Sequence, residues 1–165
     1  MLALQITSLK TLMNQLLAGE TFDIFLLVET VISTANTYTI DGHINMDFYP
    51  LEERNTDIIP YEYQPWSELK GLCFNLIKGK RTPTFFKFVF HLKPENAEAL
   101  LKQQGCSNID ALKAMVLNIR YDGTKAIITT GTAYHTFVMN KEADIIWDKA
   151  LTKYLSDKGI EYEIL

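Results

Sequence analysis

The chain has 165 residues, a formal net charge of −4, and 47% hydrophobic against 22% charged side chains. A domain of this length can bury a core without a disulfide or a metal. Sixteen basic against twenty acidic residues argue against a broad phosphate-binding surface for duplex DNA. The longest wholly apolar run, Ile24 to Val28, falls far short of the roughly 20 residues that a membrane helix needs.

Met1 to Gln5 lacks the basic leader and sustained apolar stretch of a secretory signal. The two cysteines, Cys73 and Cys106, form no CxxC pair. Cys73 sits among Leu72, Phe74 and Leu76, where a reduced thiol behaves as a small hydrophobe. Together these features predict a cytoplasmic protein. Residues 1–81 carry 6 basic and 10 acidic side chains and residues 82–165 carry 10 of each, so the acidic surplus belongs to the first half. With no Ser/Gly linker between them, the halves are expected to form one compact domain over 1–165.

In chain order, Leu2 to Ile6 reads as a short strand and Thr7 as a helix cap. Leu9, Leu12, Met13, Leu16 and Leu17 draw one apolar helical stripe, with Gly19 as terminator. A Phe-rich connection leads to a strand over Val31 to Ile40. Asp41-Gly42 reads as its turn and His43 to Tyr49 as the returning strand. A helix over Ser67 to Lys78 turns Leu69, Leu72, Cys73, Leu76 and Ile77 inward and stops at Gly79. Phe85 to Leu92 is apolar on both alternating faces apart from Lys87, which predicts a central strand covered on both sides. Pro94 opens a helix that runs to Gly105. Met115 to Tyr121, the Asp122-Gly123 turn and Lys125 to Val138 form a second hairpin, with a bulge expected at Gly131. Asn140 caps a last helix closed by Gly159, and Ile160 to Leu165 ends the chain as a strand.

Strand, helix, hairpin and helix thus recur in order. Asp41 to Trp66 and Asp122 to Trp147 both span 25 positions, and the chain has only these two tryptophans. The expectation is an α+β fold with an internal duplication of 1–81 and 82–165 sharing a curved, mainly antiparallel sheet. The element order is ferredoxin-like, and a DNA-clamp-like arrangement is the alternative.

Three clusters are candidates for function. On a strand, Asp41, His43, Asn45 and Asp47 would share one face about 6.5–7 Å apart. That row offers acid/base groups, with Asp41, His43 and Asp47 as catalytic candidates. A metal would need ligands from other segments as well, and the bland alternative is a solvated edge. The segment from Tyr49 to Trp66 interleaves acidic residues, prolines and aromatic rings, which makes Tyr61, Tyr63 and Trp66 candidates for partner binding. Lys78, Lys80 and Arg81 form the one compact basic cluster, suited either to a helix C-terminus or to an anion. His91 and His135 read as core or interface histidines. No GxSxG, P-loop, HExxH or GxGxxG signature is present, and neither a cofactor nor a metal is expected.

Asp41-Gly42-His43, Pro65-Trp66 and Leu76 to Pro83 resemble a small bacterial family of uncharacterised proteins. That likeness implies no activity and no catalytic residues. A fainter similarity to sliding-clamp domains rests on the strand and helix before a long hairpin, repeated internally. The function expected is a non-catalytic binding or assembly module with a protein partner, no membrane and no nucleic acid. The alternatives are a metal-dependent or acid/base enzyme using the Asp41/His43/Asp47 row, and a clamp-like nucleic-acid accessory protein.

Overall fold

In the computed structural model, which describes residues 1–107 and 109–165, the chain runs β1 (Ala3–Ile6), α1 (Leu9–Leu17), β2 (Phe25–Ser33), β3 (Thr37–Asp41), β4 (Gln64–Pro65), α2 (Trp66–Ile77), β5 (Phe85–Leu92), α3 (Pro94–Gln103), β6 (Leu112–Tyr121), β7 (Ala126–Tyr134), α4 (Glu142–Asp157) and β8 (Tyr162–Ile164). The strands form one curved antiparallel sheet in the order β3-β2-β5-β6-β7-β1-β8, with β4 pairing to β2 beyond the end of β3. This mixed architecture matches the expected class. The pairing within it does not follow the ferredoxin-like order. β5, β6 and β7 run as a meander, whereas that order would set β5 beside β7.

The helices cover one face of the sheet, and the other is only partly covered. On β5, Phe86, Phe88, Phe90 and Leu92 are buried, whereas Phe85, Lys87, Val89 and His91 are only half-buried. The inward side chains join the buried residues of all four helices in a single core. The expectation of a strand covered equally on both sides is therefore corrected: β5 is central, but the core that holds residues of all four helices lies on its inward side. Phe22, Phe25 and Phe90 meet with ring centroids 5.7–6.2 Å apart, and burying each such ring stabilises the fold by roughly 1.5–3 kcal/mol.

Polar contacts fix the helices to this layer. Ser8, not Thr7, caps α1, because its hydroxyl accepts from the Thr11 amide. Lys141, not Asn140, holds the cap position of α4, and Asn140 stands one residue earlier, its side chain accepting from the Glu142 amide at 2.8 Å. Along α4, Asp144 accepts hydrogen bonds from Thr132 and Tyr134, and Asp148 accepts one from Thr130. Among the described residues no buried side-chain polar atom lacks a partner, as a well-packed interior requires.

The two halves meet the sheet differently. β1 pairs with β7 and β8, whereas β5, its counterpart in the second half, pairs with β2 and β6. Trp66 opens α2 and donates to the Leu16 carbonyl of α1. Trp147 lies mid-way along α4 and donates to Val116 of β6. Equal spacing in the sequence thus does not give the two indoles equal surroundings.

The first hairpin departs most from expectation. β2 begins at Phe25, inside the supposed connection, and the chain reverses at Thr34 to Asn36, where the Thr34 amide donates to the Asn36 carbonyl at 2.9 Å. Register shifts fall at Leu27/Glu29 and Leu112/Ala114. Gly131, where a bulge was expected, pairs regularly with Val116.

Candidate functional site

Gly42 decides where the candidate residues go. Its amide donates to the Val28 carbonyl and its own carbonyl accepts from the Gln64 amide, both at 2.8 Å. A Cβ at this position would overlap the Leu27 carbonyl oxygen, so only glycine lets the chain press so closely on β2. Beyond Gly42 the chain leaves the sheet, and it returns at Tyr63. The mouth of this excursion is tied by a bridge between His43 and Tyr63 and by the Ile44 amide donating to the Glu62 carbonyl at 3.0 Å.

The excursion is ordered by its own side chains. Asn45 accepts from the Asp47 amide at 3.2 Å and caps a short helical turn, Met46–Phe48. Arg54 Nε donates to the Tyr49 carbonyl at 2.8 Å. Asn55 accepts from the amides of Asp57 and Ile58 at 3.0 and 3.1 Å. What this scaffold presents is apolar: Phe48, Leu51 and Ile58 are 80%, 78% and 54% exposed. Asp47, Glu52 and Asp57 stand exposed around them.

The expected row of Asp41, His43, Asn45 and Asp47 does not form, because residues 43–49 are not a strand. Asp41 accepts from the His43 backbone amide at 2.9 Å. Asp47 lies 3.9 Å from Arg54 and its side chain is 92% exposed. Asp41, His43 and Asn45 do border one shallow hollow, together with Phe48, Tyr49 and Leu69. Asp47 is not part of it.

A convergence that the sequence did not announce lies at the mouth. Tyr63 stands between two imidazoles, edge-on to His43 at 5.7 Å and to His91 at 5.2 Å between ring centroids. Glu62 reaches within 3.9 Å of His43 Nε2. Burial lowers the pKa of His91 and nearby Lys113 lowers it further, while Glu62 works in the opposite direction. Burial, Glu62 and Asp41 together raise that of Tyr63. The Tyr63 ring separates the two histidines, and no group of three His, Cys, Asp or Glu among the described residues is placed to hold a metal. The alternation of β5 held one usable signal: with Phe86, Phe88 and Phe90 inward, His91 had to face outward.

The remaining candidates divide. Tyr61 donates to Glu95 and lies beneath Lys93, whose Nζ is 5.8 Å from the ring centre, so it ties the excursion to α3. The bond to Glu95 and partial burial push its hydroxyl up to about 12. Trp66 is fully buried, which corrects its reading as a partner contact: its ring packs on Phe88 and Phe90 instead. Lys78, Lys80 and Arg81 are all exposed at and beyond the end of α2, where the Lys78 amide donates to the Phe74 carbonyl. Of the α2 positions expected inward, Cys73 is buried but Leu72 is half exposed. Burial pushes the Cys73 thiol up to about 12.

No helix of the described residues is long and apolar enough to cross a membrane. No curated protein and no solved structure matches the chain significantly. A match to the family described as "Family of unknown function (DUF5721)" covers residues 15–163, leaving out β1 and most of α1, and the chain belongs to that family.

Proposed function

We propose that this chain is a protein-binding module whose contact surface is the excursion between His43 and Tyr63. The observation that carries this reading is the set of exposed apolar tips, Phe48, Leu51 and Ile58, held up by hydrogen bonds internal to the segment. A pre-ordered loop loses little conformational freedom on binding, and large apolar side chains around an interface centre supply most of its energy. The acidic residues around the tips suit a partner with an apolar pocket rimmed by Lys or Arg. Free, buried Cys73 and Cys106 fit a reducing, cytoplasmic setting. In this reading residues 1–165 act as one body, with the sheet as support and His43, Tyr63 and His91 as the clasp that holds the loop's two ends.

Affinity capture with Phe48→Ser/Leu51→Ser tests it. Both side chains lie outside the core, so thermal stability should change by no more than about 0.5 kcal/mol, while capture of the partner falls at least about tenfold. Lys80→Ala/Arg81→Ala serves as a distant control and should bind normally. Equal capture by all three proteins would remove the loop as the contact surface.

A further inference from the structure

The two edges of the sheet are built differently. At one edge, β8 is three residues long and its middle residue is Glu163, preceded by Glu161. A short, charged strand is a poor template for another chain. At the other edge, β3 reads Thr37-Tyr38-Thr39-Ile40-Asp41 and carries no lysine, proline or glycine. Thr37, Tyr38, Thr39 and Asp41 are all exposed, and β3 pairs on one side only, with β2.

The hydrogen bonds at both ends of this hairpin fix which backbone groups point outward. The Gly42 amide donates to Val28 and the Thr34 amide to Asn36. In the register that pairs Thr30 with Ile40 and Ile32 with Tyr38, these bonds make the even-numbered residues the hydrogen-bonded pairs. Antiparallel alternation then turns the N–H and C=O of Thr37, Thr39 and Asp41 away from β2.

We infer that β3 pairs antiparallel with β3 of a second copy of this chain, about a twofold axis at Thr39. In that register Thr39 faces Thr39 of the second copy, Tyr38 faces its Ile40, and Thr37 faces its Asp41. All the outward amides and carbonyls are satisfied in one step. The side-chain pairs are of the kinds that stabilise antiparallel neighbours: aromatic with β-branched, threonine with threonine, and hydroxyl with carboxylate. An axis at Asp41 would set two carboxylates face to face, and an axis at Thr37 would leave Ile40 and Asp41 beyond the turn of the other copy. Among the axes through an outward-facing residue, the sequence of the strand thus favours the one at Thr39. The contact leaves Phe48, Leu51 and Ile58 outside the strand pairing, so it does not depend on the loop reading above.

Sedimentation velocity over a concentration series, with amide exchange read residue by residue, tests the inference. The expected result is a monomer–dimer equilibrium in which the amides of Thr37, Thr39 and Asp41 become protected as dimer forms. Thr39→Pro removes an outward N–H that β2 does not use, and Thr39→Lys places like charges across the axis. Each should weaken dimerisation at least about tenfold, and circular dichroism should show the Thr39→Lys protein folded should the proline variant fail to fold. A chain that stays monomeric at high micromolar concentration overturns the inference. So does a dimer that Thr39→Lys leaves unchanged, or protection of these amides that appears only when an unrelated extended peptide is added.

Discussion

The chain contains the dipeptide Asp-Gly twice, and the two copies do opposite things. At Asp122-Gly123 the backbone reverses: Gly123 has φ +99°, and Asp122 Oδ1 accepts from the amides of Thr124 and Lys125 and from the Thr124 hydroxyl at 2.8–3.0 Å. At Asp41-Gly42 no reversal occurs. There, glycine is needed because β2 lies too close for any side chain, and the aspartate merely accepts from the next-but-one amide. The residue pair marks a place where a Cβ is not tolerated, but it does not say whether the obstacle is torsional or steric.

Substitutions at three of the four positions separate these causes. Gly42→Ala should have the largest effect, since the obstacle is β2 backbone and not a side chain that could move. A loss near the upper end of overpacking costs, roughly 3 kcal/mol, is expected, read as a lower midpoint in guanidinium melts. Gly123→Ala meets a torsional obstacle, with the Thr84 carbonyl oxygen 3.1 Å from the added Cβ. A loss of about 1–2 kcal/mol is expected, and an unchanged midpoint would mean the turn relaxes freely. The smallest effect belongs to Asp122→Asn, which keeps the acceptor but removes the charge. The backbone amides of Lys125 and Thr124, followed by the Thr124 hydroxyl, hold the Asp122 carboxyl at about 2, below its ordinary 3.8. Its stabilising contribution is present above pH 4 and lost as the pH falls toward 2. The difference in melting temperature between wild type and Asp122→Asn should therefore close over that range. A difference that persists at pH 2 would assign the effect to geometry and not to charge.

Most regular elements were legible because their patterns answer to local physics. The stripe from Leu9 to Leu17, Pro94 at a helix start and the alternation of Phe86, Phe88 and Phe90 each depend on a few neighbouring residues. The first hairpin was misplaced because its true turn, Thr34 to Asn36, carries no glycine, whereas a stronger turn signal stood at Asp41-Gly42. That single slip turned residues 43–49 into a strand and created the row of Asp41, His43, Asn45 and Asp47. The clasp of His43, Tyr63 and His91 was hidden for a different reason. It joins residues whose proximity depends on an excursion that returns to the sheet, and no periodicity encodes that return. The acidic, proline-rich neighbours of Trp66 point to the surface, yet it is the first residue of α2 and belongs to the core.

The place of β1 between β7 and β8 sets the order in which the molecule can be completed. The Leu2 amide donates to the Thr130 hydroxyl across 128 positions of sequence, and Leu4 pairs with Ile128. During synthesis β1 therefore emerges before either of its neighbours is made, and it must wait while the β2–β3 hairpin, β5 and β6 assemble. Closing so long a loop is entropically slow. The final commitment to the folded state falls to the side of the sheet where β1 meets β7 and β8.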